Sequence, residues 1–212
     1  MVSADPGGRT NRLEVGAVVA TGLLHPLVST HRVLLAPFIA AVLIGWGTYV
    51  TVRVRGDRGL WAVWGFTKAN LKPAFRAAST FALAASAVMA AIGHGRGTLS
   101  LHWHVLVLFV LYPAWGLVQQ FLVQALVARN LRALSGPVSS PWFVVPSCGV
   151  LFGLVHVPDL ELVIATAVLG CTFTSIYLRW RNLWPLGLFH GWLGALCYFW
   201  VIGRDPWYDV FG

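Results

Sequence analysis

Charge is what this sequence has least of. Only 10% of its 212 residues are Asp, Glu, Lys or Arg, against about 25% in an ordinary soluble domain. With 58% apolar residues, twelve Phe and eleven Trp, there is too little polar surface to clothe a water-facing exterior. A soluble globular domain is excluded, and the chain reads as an integral membrane protein. Cysteine is scarce as well. Cys148, Cys171 and Cys197 each lie in a different apolar run, too few and too scattered for a disulfide framework, and they read as buried thiols. The opening MVSADPGGRTNR has no apolar core, so the first apolar run reads as a retained anchor and not as a signal peptide.

What is present is a series of apolar runs separated by basic punctuation. Runs near 15–30 and 33–52 are split by Ser29-Thr30-His31-Arg32. The first is short for a span of about 20 residues and carries Pro26, which suits an interfacial position equally well. Residues 53–76 hold six bases among Trp61, Trp64 and Phe66, the composition of a cytoplasmic loop with an amphipathic interfacial helix. Further runs lie near 77–93, from Leu101 to about Arg132, from Trp142 to His156, over 162–178, and from Leu183 to Ile202. The reading is all-α: a polytopic transmembrane helical bundle of about seven spans. Residues 1–13 are expected to be a disordered cytoplasmic tail and 14–212 a single transmembrane domain.

The net charge of +8 is not a nucleic-acid signal, because the bases cluster between apolar runs. With the N-terminus cytoplasmic, only Arg32, Arg96 and Arg204 of the fifteen Lys and Arg fall outside, the bias of the positive-inside rule. Trp180, Trp184 and Trp207 read as anchors at the membrane interface.

One run is polar where it should not be. YPAWGLVQQFLVQALVARNLR, from Tyr112 to Arg132, carries Gln119, Gln120 and Gln124 in its apolar middle. On a helix Gln120 and Gln124 share a face, with Gln119 about 100° away. Each carboxamide brings two donors and an acceptor, and leaving them unpaired in lipid costs several kcal/mol. Helix-to-helix glue is the plain explanation for one such residue; three within six residues point to a polar pocket. Two histidines in later runs, His156 and His190, are candidates to share it. His102 and His104, two apart, would point about 200° away from each other on a helix, which argues against a shared metal. Asp159 and Glu161 read as a solvated acidic turn.

The region from about 110 to 200 resembles the CPBP family, which includes the CAAX endoproteases and bacteriocin-processing enzymes, whose motifs are E-E-x-x-x-R, F-x-x-x-H and H-x-x-x-N. The second stands as Phe152-Gly-Leu-Val-His156; the third is partly kept as His190-Gly-Trp-Leu-Gly194, with Gly in place of Asn. The first aligns with Gln119-Gln120-Phe-Leu-Val-Gln124, so all three charged positions are Gln. The resemblance implies a helical membrane fold in which one Glu of the pair and the F-x-x-x-H histidine activate a water, while the last His and Asn hold the oxyanion. Carried over, Gln119, Gln120, His156 and His190 take the catalytic positions, and Gln124, Phe152 and Gly194 the substrate-binding ones.

A carboxamide cannot accept a proton near neutral pH, so the family's glutamate route cannot run here as written. Three functions stay open: an endopeptidase-like hydrolase in which His156 takes the proton, a non-catalytic relative holding a membrane peptide, lipid or protein partner, and a small carrier or scaffold. Two imidazoles without a carboxylate fall short of the three protein ligands of catalytic zinc, so no metal or other cofactor is expected. The expected partners are membrane lipids and a membrane-anchored peptide or lipid, with a protein partner open and nucleic acid excluded.

Overall fold

A computed structural model describes residues 6–206, and every regular element among them is helical. The expected polar segments 1–5 and the tail with Trp207 lie outside the described residues. Helix α1 (Pro6–Ser29) begins at a proline, which suits a first helical turn, so 6–13 continue the helix instead of forming a separate tail. Helix α2 (Arg32–Gly56) follows after a tight turn. The amphipathic helix expected within 53–76 shrinks to the five-residue α3 (Leu60–Trp64), closed by Gly65 at φ +99°, a backbone conformation that glycine accepts without strain.

Helix α4 (Leu71–Arg96) is followed by α5 (Trp103–Gln120), which runs without a break into a π-helical segment (Phe121–Ala128) and α6 (Arg129–Ala133). After a short 3₁₀ turn come α7 (Pro141–Leu154), α8 (Leu160–Trp180), α9 (Trp184–Leu196) and a second π segment, Cys197–Ile202.

Five of the described helices are long and apolar enough to cross a membrane: Val33–Gly56, Leu71–Arg96, Trp103–Ala133, Leu160–Trp180 and Trp184–Ile202. The other two of the seven expected runs are α1 and the 14-residue α7. At 1.5 Å per residue α7 covers only about 21 Å, against a hydrocarbon core of about 30 Å. Large apolar side chains on the outside of the bundle are exposed, Leu83, Leu106 and Val110 to 73%, 69% and 77%. A water-soluble surface does not carry such a belt; these residues face lipid.

Glycine sets the two closest helix contacts. A Cβ on Gly191 of α9 would lie 2.4 Å from the backbone nitrogen of Pro113 in α5, so these helices touch backbone to backbone. Gly187 and Gly191 form the small-xxx-small spacing that permits this approach. Between α7 and α8, a Cβ on Gly149 would meet the Cys171 sulfur at 2.3 Å. The three cysteines are free thiols.

The loop around α3 is bound to the α8–α9 connection. The Asn182 amide donates to the carbonyls of Thr67 and Ala69, at 2.8 and 2.9 Å. Tyr177 donates to the Trp64 carbonyl at 3.0 Å, and Trp64, fully buried, meets Phe121 edge to face.

Candidate functional site

The α5–α9 contact brings the glutamine run to the last histidine. Gln120 is the last residue of α5 and Gln124 sits in the π segment, where the wider turn offsets the helix faces before and after it. Both side chains are wholly buried. Gln124 Nε2 donates to Gln120 Oε1 at 3.0 Å, and Gln120 Nε2 meets His190 Nδ1 at 3.1 Å. An amide N–H can only donate, so Nδ1 is the acceptor and the His190 proton sits on Nε2. The result is a neutral relay, Gln124 to Gln120 to His190, in place of an acid–arginine pair.

His156 sits in the turn after α7, with Val155 and Val157 beside it. It follows a helix of only 14 residues, too short to cross the hydrocarbon core, and irregular backbone at membrane depth is tolerated where it lines a cavity. Nδ1 of His156 lies 2.9 Å from the Phe152 carbonyl and 3.2 Å from Thr166 Oγ1. A carbonyl only accepts, so Nδ1 carries the proton and Nε2 is left as the basic nitrogen. The Phe152 ring stands between the two imidazoles, edge to face with both, at 5.4 Å from His156 and 5.2 Å from His190.

Two cavities meet at this place. One, of about 150 Å³, is bounded by Gln119, His156, Thr166, His190 and Gly194. The other, of about 120 Å³, opens between α1, α2, α5 and α7 and is lined by His25, Phe38, Leu122 and Phe152. Trp115, Gln119 and His156 border both. Apart from Thr21, His25, Gln119 and His156, the second cavity has aliphatic and aromatic walls.

Of the residues singled out from the sequence, Gln119, His156, His190 and Gly194 line a cavity and Gln120 bonds directly to His190. Phe152 lines the apolar cavity and separates the imidazoles. Gln124 lines neither; it supports Gln120 from behind. Gly194 leaves open space, with Tyr112 Cδ2 the nearest atom to a built Cβ at 3.9 Å.

Sequence reasoning passed over three residues. Thr166 is four residues beyond Leu162, whose carbonyl takes its hydroxyl proton, and it also meets His156. His25, within the first apolar run, bonds the Val155 carbonyl through Nδ1 at 3.0 Å. Glu14, 4% exposed, receives hydrogen bonds from Tyr49 and Asn130. Arg129 and Arg53 stand 3.7 and 3.9 Å from its oxygens. An acid opening an apolar run was a visible signal for Glu14; nothing local marked Thr166.

The fold and site define a polytopic helical membrane protein with a buried polar pocket joined to an apolar cavity. Residues 101–196, from just before α5 to the end of α9, match the family model of Rce1-like proteins, type II CAAX prenyl endopeptidases. Over this stretch, a little under half of its length, the chain is similar to those CAAX-protease-like membrane proteins. No curated protein and no solved structure matches the chain.

Proposed function

We propose that this chain is a non-catalytic member of its family that holds a membrane-borne, lipid-modified peptide in the paired cavities. The lipid chain occupies the apolar cavity between α1, α2, α5 and α7. The peptide backbone at its attachment point is hydrogen-bonded by Gln119 and by the cavity face of His156. The observation that carries this reading is the neutral relay. Gln120 and Gln124 are wholly buried; Gln124 donates to Gln120 and Gln120 to His190, while Gln124 Oε1 has no partner among the described residues. A carboxamide so held has no proton to exchange with a water. Among the described residues lining either cavity there is no carboxylate.

The family match suggests the kind of ligand, a prenylated peptide. The test uses purified protein in liposomes with a farnesylated, membrane-anchored peptide. Saturable retention with the peptide intact supports the reading; failure to retain it above protein-free liposomes overturns it.

One observation favours a second reading, hydrolysis with His156 as general base. The Phe152 carbonyl fixes the tautomer that leaves Nε2 basic, the arrangement such a base needs. Turnover of the same peptide that is lost in His156→Ala would establish it.

A further inference from the structure

At the end of the bundle where α5 begins and the last π segment finishes, three side chains of ligand type gather well away from the polar pocket. The helical argument separating His102 from His104 fails here because His102 is not helical. It caps α5 in an extended conformation, φ −85° and ψ 148°, and its ring accepts from the His104 backbone N–H. The two imidazole centroids are 4.3 Å apart. The chain then returns after Gly203, and Asp205 places Oδ2 2.5 Å from His104 Nδ1 and 3.9 Å from His102 Nδ1. One ligand atom from each of the three lies within 4.8 Å of the others.

We propose that His102, His104 and Asp205 bind one divalent transition-metal ion of the zinc type. Two imidazoles and a carboxylate are borderline ligands that suit Zn²⁺ and not the all-oxygen shells of Ca²⁺ or Mg²⁺. Tetrahedral zinc with bonds of 2.0–2.1 Å needs ligand atoms roughly 3.3 Å apart. The Asp205 separations of 2.5 and 3.9 Å bracket that value and the third pair lies within 4.8 Å, so side-chain rotations that release His102 Nδ1 from the His104 N–H reach it.

Exposure is graded across the site. His104 is 3% exposed, Asp205 18% and His102 46%, giving a fixed inner ligand and an outer one on the path of entry. A cavity of about 280 Å³ bordered by Thr98, Ser100, His102 and Asp205 adjoins it and supplies a water for the fourth position. Arg204 borders the same cavity; its charge opposes a dication, so binding rests on the three ligands and not on a favourable field.

The ion's role is mechanical. It joins the start of α5 to the segment following α9, the two helices whose other contact holds Gln120 against His190. Sixteen residues separate His104 from Gln120, about 24 Å along the helix, so the metal fixes the helix pair without entering the pocket.

The experiment is equilibrium dialysis and thermal unfolding of the detergent-purified full chain, with any purification tag removed and after chelator treatment, in the presence and absence of Zn²⁺. Wild type binds one Zn²⁺ per chain and unfolds at a higher temperature with it. Even an outer-shell partner is worth 10–100-fold in metal affinity, so losing a direct ligand in His102→Ala or Asp205→Asn weakens binding by at least about 100-fold. His102 is half exposed, so His102→Ala keeps its fold, its metal-free unfolding temperature lowered by no more than the loss of the α5 cap. His31→Ala, an exposed histidine elsewhere, keeps binding. Co²⁺ in place of Zn²⁺ gives tetrahedral absorption in wild type that His102→Ala lacks. No saturable binding by wild type, or equal binding by wild type and His102→Ala, overturns the assignment.

Discussion

Gln120 and His190, seventy residues apart in the chain, meet at 3.1 Å, amide nitrogen to imidazole nitrogen, with no charge on either partner's motif position. An acid in place of Gln120 would place a carboxylate where burial is complete, and its motif Arg would have to be buried with it. Here the whole set has been exchanged for carboxamides, so the pocket keeps its hydrogen bonds without a desolvated ion pair, whose cost can exceed its Coulombic gain.

The relay predicts coupled energetics. Gln124→Ala leaves Gln120 Oε1 buried without its donor and destabilises the protein by about 1–3 kcal/mol. Gln120→Ala costs a similar amount, and the double variant costs less than the sum by about 0.5–3 kcal/mol, because one interaction is counted in both. Thermal unfolding in a single detergent measures all three; strict additivity contradicts the relay.

The helix contact beneath the site predicts a contrast between two glycines three residues apart. Gly191→Ala drives a methyl to 2.4 Å from the Pro113 nitrogen, and backbone cannot yield as a side chain does. It costs at least about 1–3 kcal/mol. Gly194→Ala meets its nearest atom at 3.9 Å and leaves the unfolding temperature nearly unchanged. Equal effects would mean that α5 and α9 do not touch as described.

Much of the fold was legible because a membrane span is a one-dimensional signal: a long apolar run bounded by Arg, Gly or Pro. Each of the seven apolar runs became a helix; of the motif residues expected to meet, Gln120 bonds His190 directly, whereas His156 lies on the other side of the Phe152 ring. Helix length was harder to read. Helix α1 starts at Pro6, ahead of the apolar run, and its Glu14 is held by Tyr49, Asn130 and Arg129 from positions 35 to 116 residues away. His102 was misread for a related reason: residue spacing fixes direction only inside a helix, and an N-cap lies outside it. Thr166 had no signal of its own, since hydroxyls that bond the carbonyl four residues back are routine in apolar helices.

That buried acid gives the third prediction. Glu14→Ala removes hydrogen bonds to a charged group and leaves Arg129, 18% exposed, without its counter-ion. The expected loss is about 2–3 kcal/mol, kept below the cost of breaking a fully buried pair because Arg53 is 37% exposed. Glu14→Gln retains part of it, as the amide oxygen still accepts from Tyr49. Unfolding temperatures of the two variants check the order; an Ala variant as stable as wild type would show that the cluster contributes nothing.

The last prediction separates holding a peptide from cutting it. Gln120→Glu alone introduces an acid with no cation at position 124, and a lone carboxylate wholly buried takes up a proton instead of staying charged. It therefore gains no cleavage of a membrane-anchored, farnesylated peptide. Adding Gln124→Arg rebuilds the ion pair, and Gly194→Asn supplies the second oxyanion donor, for which the open space at Gly194 leaves room. Such a donor is worth about 10²–10³ in rate, so the triple variant gains slow cleavage while wild type and the single variant show none. The assay follows product release in liposomes beside a binding measurement on the same preparations, so that a misfolded variant is recognised by lost retention. Cleavage by wild type that disappears in His156→Ala would replace the binding reading with the His156 mechanism. Cleavage by wild type that survives His156→Ala would remove both the binding reading and the His156 mechanism.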